Sequence, residues 1–328
     1  MSETAPLAKR PLKPYTRYLV LYLALTVGSV WALVLFYLPD YEFAVGLFGE
    51  LELSNPLVVA VLNSPAIAAV IVLFLYDGFR GVLNFLRTLV PRPKDLLWIP
   101  ALAAIMLAYV YAVRGVCLLF GIPVPPDPEN PLEMAGTFFG LFLGEVGMLA
   151  IAMGWFGFFL PLMHRVTGSH IRSGIATGLG IGIFVAPGNL FSSFELATAW
   201  PLYVTQLSVL GIGMSFLLSR MKGNVLFFLV PFWVSASGSH WEMYVFMTPT
   251  QLVQMVLFGA LVVLLWFVLK RQAGGELDPP FVFPEYLENE YTVRTGAVFP
   301  GVGNKSKELD PAPSSEPELT GARHEETA

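Results

Sequence analysis

The sequence predicts an all-α polytopic membrane protein: eight transmembrane helices followed by a polar C-terminal tail. Three observations predict it. First, 55% of the 328 residues are hydrophobic and only 13% are charged, whereas an ordinary soluble domain carries about 25% charged residues. The mean hydropathy of +0.65 excludes a water-soluble globule and a chain disordered throughout, which needs low hydrophobicity and high charge. Second, eight apolar stretches approach the ~20 residues that a helix needs to cross the hydrocarbon. Third, the sign of the charge alternates from one connection to the next.

The spans fall at 17–38, 56–76, 96–120, 134–163, 173–192, 201–219, 224–241 and 249–269. The seventh is interrupted by Pro231 and by Ser235-Ala236-Ser237-Gly238, which is tolerated where protein rather than lipid surrounds the backbone. Residues 1–16 form an N-terminal segment and 17–270 the membrane domain. Lys9, Arg10, Lys13 and Arg17 precede the first span. Arg80, Arg87, Arg92 and Lys94 lie in the second connection, Arg165 and Arg172 in the fourth, Arg220 and Lys222 in the sixth, and Lys270 and Arg271 leave the eighth span. The odd connections carry Asp40, Glu42, Glu50 and Glu52, then Asp127, Glu129 and Glu133, then Glu195, then Glu242. Of the 14 basic residues before position 271, only Arg114 breaks this alternation, and near the outer end of its span it is expected to snorkel to the headgroups. Lys and Arg favour the cytoplasmic side, so the expectation is an inner (cytoplasmic) membrane protein, multi-pass, with both termini cytoplasmic. The first apolar stretch is too long for a cleaved leader and lacks a clear small-residue cleavage site.

Residues 78–90 read as an amphipathic helix lying flat on the cytoplasmic surface, with Phe79, Val82, Leu83, Leu86 and Val90 on one face. Gly174, Gly178, Gly180 and Gly182 are expected to let the fifth span approach a neighbour closely. The single cysteine, Cys117, excludes an intramolecular disulfide framework and any cysteine-based zinc or iron–sulfur site. No phosphate-binding glycine loop and no nucleic-acid-binding basic patch is present.

The tail, 271–328, holds 5 Lys/Arg against 11 Asp/Glu. Its first part, 271–302, carries Phe281, Phe283, Tyr286 and Tyr291 and suits a linear segment that orders on a partner's surface. Its last part, 303–328, is acidic, proline-rich and disordered by composition.

Several segments together resemble a known family. Asn63-Ser64-Pro65-Ala66-Ile67-Ala68-Ala69 with Asp77-Gly78-Phe79-Arg80-Gly81, Gly154-Trp155-Phe156-Gly157-Phe158-Phe159-Leu160-Pro161, Gly178 through Pro187, and Arg220-Met221-Lys222-Gly223-Asn224 are similar to segments of the CPBP family. These are the CAAX-protease and bacteriocin-processing intramembrane metalloproteases. The resemblance covers roughly 17–270 and implies a CPBP-protease-like bundle. It also implies two adjacent glutamates, an arginine four residues on, a histidine on the next span, and a later histidine paired with Asn or Asp. In this chain the glutamate positions hold Ile151 and Ala152, the arginine position Phe156, the first histidine position Val185, and the last pair Phe232 and Ala236. None of these side chains offers a metal a lone pair or exchanges a proton. The windows 149–158 and 179–187 contain no Asp, Glu, His, Lys or Arg, so shifting the register by one residue restores nothing.

The expectation is therefore a degenerate member with no catalytic residue, no metal and no cofactor. It would act as scaffold, assembly factor or accessory subunit of a larger membrane complex, with the bilayer and other membrane subunits as partners; energy-transducing complexes, respiratory or photosynthetic, are suitable hosts. The competing reading is an active endopeptidase using displaced residues such as Glu145 and His240. A carrier is the third class. Glu145 is the one carboxylate inside an expected span, but counting from His164 puts it about 28 Å away, near the outer headgroups. His240, beside Ser237, Ser239, Trp241 and Glu242, has only Glu242 to share a metal with. Asn189, Ser192, Ser193, Thr205, Gln206, Ser208, Ser235 and Ser237 are expected to hydrogen-bond between helices, the alternative being that they line an interior cavity. His164 and His170 are expected in a solvated cytoplasmic connection with Arg165 and Arg172. The aromatic residues, 14% of the chain, suit interfacial belts; a bound lipid, quinone or pigment would use the same side chains.

Overall fold

In the computed structural model, residues 15–52, 55–91, 93–124, 147–187, 200–220, 224–229 and 248–272 are described. Every regular element among them is helical. Six helices are long and apolar enough to cross a bilayer, and the protein is a multi-pass helical membrane protein.

Helix α1 (Tyr15–Tyr37) buries Tyr15, Tyr18, Leu19, Tyr22, Thr26, Val30, Val34 and Tyr37, a repeat of three and four that puts them on one face. The connection beyond it contains a short helix, α2 (Tyr41–Phe48), where the sequence suggested only a loop. Asp40 caps it by accepting from Phe43 N–H at 3.0 Å. Asn55 then organises the next start. Its Nδ2 donates to the carbonyls of Phe48 and Glu50, both at 2.8 Å, while its Oδ1 accepts from Leu57 N–H at 2.8 Å. A cap of this kind satisfies an otherwise orphan helix N–H.

The expected span 56–76 is divided. Helix α3 (Pro56–Leu62) stops at Asn63, and α4 (Ser64–Arg87) restarts there with a proline in its first turn. Pro65 has no N–H to continue the ladder, which accounts for the break. Helix α4 bends again at Gly78, where φ 66° and ψ −167° define a conformation open essentially to glycine alone. The expected surface helix starts at this bend and runs to Arg87. Its apolar stripe is divided: Val82 and Phe85 face the protein core, whereas Phe79, Leu83, Leu86 and Val90 are exposed. A helix lying along the bundle has two apolar neighbours, protein and acyl chains, and this one addresses both.

Helix α5 (Trp98–Leu119) matches its expected span and follows a 3₁₀ turn at Pro93–Leu97. Arg114 differs from expectation: it is 6% exposed, on the same inward face as Val110, Val113 and Cys117, instead of reaching outward.

Helix α6 (Met148–Thr167) is the most enclosed of the six. Its middle, Ala152–Phe159, is wound as a π-helix, with Leu160 N–H bonding Trp155 O. Pro161 supplies the cause, since it has no N–H for the Gly157 carbonyl and its ring crowds that carbonyl. Gly168, at φ 64°, ends α6, and Ser169 caps α7 (His170–Val185). At 16 residues, the described helix is shorter than the ~20 of a full span.

Helix α8 (Trp200–Arg220) lies directly on α7. A Cβ on Gly174 would overlap the Ile212 backbone, and one on Gly178 the Ser208 backbone, so the glycines act as the sequence suggested. Helix α9 (Thr248–Gln272) packs on α8 and α5. Of the expected seventh span only 224–229 is described. Positions 134–146 of the fourth span and 188–192 of the fifth lie outside the described residues, as do the tail beyond 272 and the N-terminal segment before Tyr15.

Candidate functional site

The largest apolar core joins α1, α4, α6, α7 and α8, and the π-helix forms its centre. All eight residues from Ala152 to Phe159 are buried. Trp155 meets the Tyr22 ring edge-on, at 5.5 Å and 87°, and also touches Phe159 and Phe184. Phe156 packs on Phe228 at 4.6 Å. Trp155 can lie this close to α7 because Gly180 has no side chain: a Cβ there would stand 2.5 Å from its ring. Gly154 likewise lets α6 press against Pro65, at the break between α3 and α4.

The described positions that the resemblance sets against catalytic residues meet here. Ala152 and Phe156 belong to this core, and Ile151 and Val185 pack against it. Phe232 and Ala236 lie outside the described residues. Around Ala152 and Phe156 the core is apolar and aromatic; charged groups bond two of its tyrosines, Asp77 accepting from Tyr18 at 3.3 Å and Arg165 donating to Tyr15 at 3.1 Å.

The two loop histidines are a correction. His164 is 7% and His170 1% exposed, because the turn at Gly168 folds α7 back on α6. Their rings lie 4.6 Å apart. His170 Nδ1 is 2.6 Å from Ser215 Oγ, and its ring stacks on Phe216 at 4.5 Å. Ser173 Oγ stands 3.5 Å from His164 Nδ1 and donates to the Ser169 carbonyl at 2.8 Å. Arg165 donates to the Tyr15 hydroxyl at 3.1 Å, with its guanidinium over that ring. This cluster ties α1, α6, α7 and α8 together at one end. The sequence signal missed was spacing: His164 and His170 flank a Gly168-Ser169 helix stop and start, which reverses the chain instead of releasing it to solvent.

A third polar group lies between α5, α8 and α9. Gln206 Nε2 donates to Gln254 Oε1 at 3.3 Å, and Tyr109 donates to the Gln254 carbonyl at 3.0 Å. Thr250, Gln251 and Gln254 are all buried. Gln206 makes the interhelical bond expected of it. Thr205 and Ser208 instead bond back to their own helix, at Pro201 O and Val204 O.

Glu145, Asn189, Ser192, Ser193, Ser235, Ser237 and His240 lie outside the described residues, as do Phe281, Phe283, Tyr286 and Tyr291. Among the described residues, no group of three or more His, Cys, Asp and Glu could hold a metal ion. No protein-family model matches the chain, and no curated protein matches it.

Proposed function

We propose that this chain is a catalytically inactive, CPBP-like integral membrane protein that serves as scaffold, assembly factor or accessory subunit of a larger membrane complex. It would sit in the inner membrane with both termini cytoplasmic. One observation supports the reading above the others: Ile151, Ala152, Phe156 and Val185 meet in one apolar core. A packed hydrocarbon interior cannot activate water, and charge buried in a bilayer is costly enough to be kept mainly for function. The aromatic segment 281–291 would supply the docking element.

Native mass spectrometry of the full chain, extracted in mild detergent from its source membrane, tests this. The expected particle contains at least one further protein in fixed ratio and no stoichiometric metal. Deleting 273–302 should release the partner and leave the membrane domain folded. A metal-free monomer with no partner would remove the scaffold reading. Stoichiometric zinc with peptide hydrolysis that is lost in Glu145→Ala would replace it with an endopeptidase.

A further inference from the structure

Tyr22 Oη, Thr26 Oγ1 and Trp155 Nε1 are enclosed polar atoms that make no hydrogen bond of ordinary geometry to the protein, although the Tyr22 and Thr26 hydroxyls lie near enough to interact with each other. Tyr22, Thr26 and Trp155 are each 0% exposed. Tyr22 and Thr26 stand one turn apart on the inward face of α1, and the Trp155 ring rests edge-on against Tyr22 at 5.5 Å. All three side chains therefore belong to the contact between α1 and α6.

The Thr26 hydroxyl is the informative one. A hydroxyl on a membrane helix ordinarily bonds back to its own backbone, and others here do. Ser29 donates to Thr26 O, Thr167 to Met163 O, Thr177 to Ser173 O, Thr205 to Pro201 O and Ser208 to Val204 O. Thr26 forgoes that bond. The depth makes this costly: Thr26 lies 11 residues into α1, about 16 Å from its start at ~1.5 Å per residue, close to the middle of a ~30 Å hydrocarbon layer. No bulk water reaches that depth, and an unsatisfied buried hydroxyl or indole N–H costs about 1–3 kcal/mol each.

We propose that these three atoms bind one internal water molecule at the bilayer midplane, bridging α1 and the π-helical turn of α6. The valences agree. The indole N–H is a donor only, and each hydroxyl donates or accepts. One water can accept from Trp155, accept from one hydroxyl and donate to the other. Three such bonds to otherwise unsatisfied groups are what an internal water typically makes. The chemistry selects water over an ion, because no carboxylate, imidazole or thiolate joins the set. The complete enclosure of the three side chains selects it over lipid. The site stands independently of the scaffold role.

The test uses the full chain in nanodiscs with ¹⁵N-indole tryptophan, with Trp155→Phe assigning the Trp155 signal. A rotating-frame Overhauser cross-peak from the Trp155 N–H to the water resonance is expected. The Tyr22→Phe/Thr26→Val double variant should weaken it. Each single variant should lower Tm by a few degrees, and Trp155→Phe combined with Thr26→Val should lower it by clearly less than the sum of the two, since both remove partners of one molecule. Absence of the cross-peak in the unaltered protein overturns the proposal. So does a rise in Tm in either single variant, which is what deleting a truly unpartnered polar atom produces.

Discussion

Ala152 shows how much a single position restricts this protein. It is 0% exposed among aromatic rings. Introducing a carboxylate there as Ala152→Glu is expected to cost at least 3 kcal/mol, about the price of an uncompensated buried charge, and to confer no hydrolysis. Thermal unfolding in detergent together with a peptide-cleavage assay checks both halves. At the other polar centre, Ser215→Ala removes the 2.6 Å bond to His170 Nδ1. A loss of about 1–3 kcal/mol follows from removing a buried hydrogen bond to the ring, readable as a lower melting temperature. That histidine was visible in the sequence but its burial was not. Position 170 stands among Arg165, Arg172 and small polar residues, a composition that suits water; only the helix reversal at Gly168 turns its ring inward.

At the scale of elements, one contact depends on an absent side chain. Gly178 on α7 lies against the Ser208 backbone of α8, and backbone cannot yield as a side-chain tip can. Gly178→Leu is expected to destabilise by about 1–3 kcal/mol or more and to reduce folded yield. Gly28→Ala on α1, with open space around it, should be neutral or gain up to about 1 kcal/mol from helix propensity. Comparing the two melting temperatures separates packing from propensity. Gly78→Ala tests the bend in α4. Its φ of 66° resists a Cβ, so a loss of about 1–3 kcal/mol is expected. A nitroxide introduced as Leu83→Cys should also change its depth in the bilayer as the surface helix swings. A new helix is expected from Gly78, but 56–76 is expected as one span, and the break at Pro65 is missed although the proline that causes it stands in the sequence. The π-helix has no such local mark, because its widened turn depends on how Pro161, Gly154 and the neighbouring helices share space.

For the whole molecule, the testable quantity is orientation. Cys117 is fully buried and should give little background labelling. Under the proposed topology, a cysteine introduced as Glu50→Cys should react with a membrane-impermeant maleimide on intact spheroplasts, and Arg172→Cys only after permeabilisation. The reverse pattern would invert the assignment of both termini. The sequence by itself determined that the chain crosses the membrane repeatedly as helices, because apolar length and charge alternation are local properties set by the thickness and polarity of the bilayer. It also determined where glycine permits close packing and which chemistry the family-like positions lack. Only the tertiary structure decided which polar groups are enclosed together. Tyr22 and Trp155 are 133 residues apart and His170 and Ser215 are 45 apart. Such meetings follow from helix crossings, which depend on all the packed surfaces at once and leave no periodic trace along the chain.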